Sequence, residues 1–254
     1  MLKLKKGIVS SSEISGVSET AISEKVAERR TIVCKTLVDV SVVKIIAEKF
    51  KNRIFMKFGL LKPKPHEVQC VSIEKFYEPF LAVDARCVID YHRKREISFE
   101  VDNDVQEVRI KRQVFKPELR DEENPVRKVT LPVSERITNE KKVYMIFDRF
   151  GNEIDPDKMP YAPSEENPEL VLKEYKEKVE KLEMPPDAEL EIIRSRIVEE
   201  TVNAEKTAWQ SFEVSDRVVM YIPFYKIVFE NVRTGEAKAI KIDGVTGNMA
   251  AWQQ

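Results

Sequence analysis

The sequence predicts an α+β protein built from two mainly antiparallel-sheet modules, with a connecting hairpin and one long charged helix. Three observations carry that reading. The tetrapeptide Tyr-x-Pro-Phe occurs twice, at Tyr77–Phe80 and Tyr221–Phe224, and each copy introduces a run of alternating apolar residues. Residues 168–184 are mostly Glu and Lys, with apolar residues at helical spacing. The chain of 254 residues is 42% hydrophobic, enough for one large core or two small ones.

Taken in order, the chain divides into a flexible N-terminal arm (1–30), a first α+β module (31–128), a connector hairpin and charged helix (129–186), and a second α+β module (187–254). Residues 10–24 are rich in Ser and Glu and offer little to bury, so they read as a mobile arm. From Thr31 to Phe50, β-branched residues and apolar spacing suit a strand followed by a helix. Residues 53–58 then read as a short strand, and 60–66 as a proline-punctuated connector.

In the first copy, Cys87, Ile89 and Tyr91 alternate with other residues, as do Ile97, Phe99 and Val101. Two strands with one buried face are expected, the basic stretch 91–96 being the hairpin turn between them and Asp102–Asp104 the exit. In the second copy, Phe224, Ile227 and Phe229 lead into a polar turn, and Ala239, Ile240 and Ile242 lead into Asp243. The shared order of events reads as an internal duplication. Proline has no N–H donor and a fixed φ, so Pro79 and Pro223 belong at the first residue or the edge of a strand, with Tyr77, Phe80, Tyr221 and Phe224 as anchors.

Between the copies, residues 141–154 carry a strand, a Gly151-Asn152 turn and a second strand. A helix is expected to start at Asn167-Pro168 and to run until Pro185-Pro186 stop it. Leu172, Tyr175, Val179 and Leu182 would form its apolar seam.

Charge and motif content narrow the function. With 43 basic against 44 acidic residues, no net field draws the chain to nucleic acid or an anionic membrane. The chain's 7 glycines form no phosphate-cradling loop, and no GxSxG, HExxH or Walker pattern is present. No catalytic residue, metal site or cofactor is assigned. Cys34, Cys70 and Cys87 are odd in number and widely spaced, which suits buried thiols in a reducing compartment. The basic start has too short an apolar stretch for a signal peptide. The uncharged run 218–225 is too short to span a bilayer, so a cytoplasmic protein is expected.

Two constellations bear on alternatives. Asp84, Asp90 and His92 form the best acid/base or metal grouping the sequence offers, and Asp102, Asp104 and Asp243 would meet if the two copies packed symmetrically. Arg93, Lys94 and Arg95 with Lys111 and Arg112 make a basic patch of the kind that contacts nucleic acid.

Residues 221–249, and chiefly Asp243, Thr246 and Gly247, resemble the closing hairpin of PepSY-type repeats, in which a strand ends in Asp-x-x-Thr-Gly and the chain turns back. That resemblance implies a small helix-plus-sheet interaction module and nominates no catalytic residue. The sequence therefore points to a non-catalytic interaction or assembly subunit docking a protein partner. A nucleic-acid accessory protein and an enzyme centred on Asp84, Asp90 and His92 are the alternatives.

Overall fold

A computed structural model describes residues 21–56, 63–119, 126–198 and 204–250. The protein is α+β. Among the described residues lie eleven strands and three α-helices. The strands are β1 (Ala21–Val26), β2 (Arg30–Val33), β3 (Val68–Val101), β4 (Val108–Ile110), β5 (Gln113–Phe115), β6 (Glu118–Leu119), β7 (Arg127–Phe147), β8 (Glu153–Ile154), β9 (Ala204–Asn231), β10 (Glu236–Asp243) and β11 (Met249–Ala250). The helices are α1 (Val40–Ile54), α2 (Pro168–Glu174) and α3 (Pro186–Ile197). None of them is long and apolar enough to cross a membrane.

The chain forms two compact units. The described residues of the larger unit fall in 24–56, 63–88, 140–198 and 211–250, and those of the smaller in 21–23, 89–119, 126–139 and 204–210. The three longest strands, β3, β7 and β9, each give one stretch to each unit.

In the larger unit the strand order runs β11-β10-β9-β3-β7, with β2 parallel to β9 and β8 antiparallel to β7. Alternation sets its two faces. Tyr225, Ile227 and Phe229 of β9, with Ile240 and Ile242 of β10, pack against Val43, Ala47 and Phe55 of α1 and its C-terminus. Full burial of side chains such as Ile227, Phe229 and Ile242 contributes about 1.5–3 kcal/mol each. Asp39 starts α1 by accepting the Ser41 amide at 2.8 Å. On the opposite face, Ile222 and Phe224 of β9 meet Phe80 and Ala82 of β3 in a second cluster with Cys34, Ile146 and Val245.

In the smaller unit the stretches of β3 and β7 are tied antiparallel by cross-strand side chains. Ser98 and Thr130 hydroxyls are 2.8 Å apart, and Arg136 grips Asp90 with Nε and Nη2 at 3.0 and 2.7 Å. β4 and β5 form a hairpin whose turn places Lys111 at φ 55°.

Several expectations need correction. Residues 21–30, expected in the flexible arm, hold β1 and the start of β2, and β1 is fixed to β9 with Lys25 2.7 Å from Glu213. Residues 1–20 of that arm lie outside the described residues. Arg53 and Ile54 end α1 instead of opening a strand, because the apolar seam that packs on β10 and β9 continues through Ile54 and Phe55. Residues 57–62 lie outside the described residues, and the described part of the connector, 63–66, leads into the 3-10 turn Pro65–Glu67.

The basic stretch 91–96 is not a turn, since β3 runs unbroken from Val68 to Val101. Arg93 and Arg95 alternate along it and both reach Glu135 on β7, which makes the stretch a paired strand segment. The second copy does turn, at Asn231, whose Oδ1 accepts the Arg233 amide at 3.1 Å. The two Tyr-x-Pro-Phe copies therefore lead into different topologies, and Pro79 and Pro223 both lie inside long strands instead of opening them.

The long charged helix is absent as such. Helix α2 ends at Glu174, a 3-10 turn covers Lys176–Lys178, and Val179 is extended. Tertiary contacts win over helical propensity here. The Tyr175 ring packs edge-on to Tyr77 at 5.2 Å, the Glu180 amide donates to the Tyr77 carbonyl at 2.9 Å, and the Glu183 amide donates to the Arg149 carbonyl at 2.8 Å.

Candidate functional site: a groove on the open sheet face

The sheet face opposite α1 carries a groove of about 760 Å³, wholly within the larger unit. Its floor follows from strand alternation. Phe76, Glu78 and Phe80 project from β3, Ile222 and Phe224 from β9, and Lys241 and Asp243 from β10. The Phe224 ring centroid is 5.9 Å from that of Phe76 and 6.3 Å from that of Phe80. Lys241 lies between rings, its Nζ 4.1 Å from the Phe224 centroid and 6.0 Å from that of Phe76, and it is bonded to the Glu78 carboxylate.

Two turns form walls, and in each an aspartate does the folding. Asp148 Oδ1 accepts the amides of Phe150 and Asn152, both at 2.9 Å, and Gly151 takes the positive φ of 91° that the β7–β8 connection needs. Asp243 Oδ1 accepts the amides of Val245 and Thr246 at 2.7 and 3.1 Å, while Gly247, at φ 75°, donates to the Asp243 carbonyl at 2.9 Å. The Asp-x-x-Thr-Gly stretch is thus a turn in which the Asp243 carboxylate accepts from backbone donors. Gly244 fits beneath it. Its amide donates to the Pro223 carbonyl at 2.8 Å, and a Cβ there would sit 2.8 Å from the same oxygen.

A third wall comes from Asp157, Lys158 and Met159. Arg149 closes one end, its Nη1 2.5 Å from Glu180 Oε2 and its guanidinium 4.4 Å above the Phe150 ring. Phe150 and Met249 stand on the rim, 46% and 50% exposed.

Of the groove's acids, Glu78 and Glu180 pair with bases, Asp148 and Asp243 cap turns and Asp157 is exposed, and among the described residues no group of three His, Cys, Asp or Glu side chains is placed to hold a metal ion. Asp90 is gripped by Arg136, which holds its carboxyl below the ordinary range, with His92 a lesser contributor in the same direction. Asp84 is exposed and, with Tyr144, Asp216 and Arg30, lines a small hollow of about 190 Å³. Asp102 accepts the Val105 amide through its carbonyl in a turn of the smaller unit, where Asp104 also lies, and Asp243 belongs to the larger unit. Cys34 and Cys87 are buried, and Cys70 is half-buried, all three as thiols. Burial pushes the Cys34 thiol up, away from reactivity at neutral pH.

The basic residues do not converge on one surface feature of the groove. Arg93 and Arg95 share Glu135, whereas Lys111 and Arg112 are exposed at the β4–β5 turn. Of the aromatic and proline anchors, Phe80 and Phe224 line the groove floor. Tyr77 is fully buried against Tyr175, and Tyr221 is half-buried with its carbonyl accepting the Cys34 amide at 2.9 Å. Pro79 and Pro223 are buried. Sequence reasoning missed Phe76, Glu78, Ile222 and Lys241. The alternation that runs through each Tyr-x-Pro-Phe copy, 76, 78 and 80 in the first and 222 and 224 in the second, is the signal that would have found the first three.

Comparison of the chain with known family models, with curated proteins and with solved structures returned no match.

Proposed function

We propose that this protein is a cytoplasmic, non-catalytic interaction subunit, and that the groove on the open sheet face receives a segment of a protein partner. The single observation that carries this reading is the groove's construction: an aromatic floor around Phe224 with an ion pair set into it, bordered by exposed Phe150 and Met249. Apolar side chains that stay exposed on a rim continuous with an apolar floor are a mark of a docking surface. They extend contact beyond the floor, which suits an extended chain better than a small molecule. The likeness of residues 221–249 to the closing hairpin of PepSY-type interaction modules agrees with this role, since Thr246 and Asn248 of that hairpin line one wall. Nucleic-acid docking has weaker support because Arg93 and Arg95 already share a carboxylate.

The test is selection of a displayed library of short random peptides on the purified chain. Enriched peptides should lose binding to the double variant Phe150→Ala, Met249→Ala, whose changes lie on the exposed rim and leave the cores intact. A selection yielding no peptide, or peptides retained by the double variant, would refute the reading.

A further inference from the structure

Resting on that reading, we infer the chemistry of the segment: an aromatic or branched apolar side chain flanked by a lysine or arginine. The apolar half follows from the floor, which is lined by the rings of Phe76, Phe80 and Phe224 with Ile222 among them. The cationic half follows from the charges around it. Acidic lining residues number five and basic ones three. Two of the bases are already engaged, Lys241 by Glu78 and Arg149 by Glu180.

That leaves Asp148, Asp157 and Asp243 against Lys158. Asp148 and Asp243 receive bonds from amides, which orient their carboxylates without cancelling their charge. Asp157 stands exposed on the rim, its backbone amide held by Asp155. A cation entering beside the apolar floor meets this surplus where water is thinned, so the attraction is larger than on an open surface. An acidic flank would meet like charge at the same place.

The experiment uses a synthetic peptide panel sharing one apolar core selected on the wild-type chain, flanked by Lys, by Gln or by Glu, titrated by fluorescence anisotropy. Affinity should fall in that order, by about tenfold or more from Lys to Glu, and should weaken with added salt. Asp157→Lys, which touches no core residue, should narrow or reverse the order. Equal affinity for all three flanks, or preference for Glu, would overturn the inferred chemistry while leaving the docking site standing. Loss of all peptide binding to the wild-type chain, or indifference to Phe150→Ala with Met249→Ala, would instead remove the docking site and this inference with it.

Discussion

The carboxylate of Glu189, fully buried near the N-terminus of α3, accepts two bonds from the Arg217 guanidinium of β9, Nε at 2.7 Å and Nη2 at 3.0 Å. Arg29 approaches from the β1–β2 connection, its Nε 3.0 Å from Glu189 Oε2, and Arg217 Nη1 also donates to the Ala27 carbonyl at 3.2 Å. One acid thus fastens a helix, a central strand and an N-terminal segment of the larger unit. Breaking such a buried pair from one side strands a charge, so Glu189→Gln should destabilise the larger unit by about 3–5 kcal/mol. Chemical denaturation monitored by circular dichroism measures it, and a change below about 1 kcal/mol would contradict the latch.

Gly244 and Gly235 separate two reasons for glycine. Gly244→Ala forces a Cβ to within 2.8 Å of the Pro223 carbonyl oxygen beside the groove, and should cost about 1–3 kcal/mol. Gly235→Ala has open space around its Cβ but a φ of +69°, and should cost about 1–2 kcal/mol through backbone conformation alone. Thermal melts compare them. Only Gly244→Ala should also weaken peptide binding, because only its turn builds a groove wall.

Carboxylates held below their ordinary range set the acid limb. Hydrogen bonds from Arg30 lower the Asp216 carboxyl, those from Lys25 lower Glu213, and those from Arg136 lower Asp90. A depressed folded-state value means that the stabilisation is complete above the unfolded value of about 4 and disappears as pH falls through the folded value. Denaturation midpoints should therefore be flat near neutrality and fall below about pH 4, and Asp216→Asn should make that fall shallower. An unchanged slope in the variant would rule out the Arg30 pairing.

Tyr77, Tyr221 and Tyr225 shape the alkaline limb. Burial raises all three phenols above their ordinary value of 10.0. Raised values mean stability that is complete below the unfolded pKa and lost as pH climbs through the folded one. Ultraviolet titration should show these three phenols ionising only above the ordinary value of 10.0, or on unfolding. Ionisation of these three at or below the ordinary value while the protein stays folded would contradict their burial.

The sequence made some of this legible. Strand β2 followed by helix α1 is visible in β-branched residues giving way to helical spacing, and the β7–β8 turn is visible in Gly151-Asn152. The unbroken course of β3 is not, because a run of Arg and Lys suits a turn until Glu135 is brought opposite by the fold. Residues 175–183 carry helical spacing, yet their backbone bonds to Tyr77 and Arg149 exist only in the tertiary structure. The groove was half visible. Phe80 and Phe224 stood out through their motif, whereas Lys241 and Glu78 become partners only when β10, β9 and β3 set them side by side.

Photocrosslinking tests the docking groove most directly. With a benzophenone side chain in place of Phe150, a library-selected peptide should crosslink to the chain, and the same group in place of exposed Tyr161, which is not part of the groove, should give none. Equal crosslinking from both positions, or crosslinking from position 161 alone, would show that the peptide binds elsewhere.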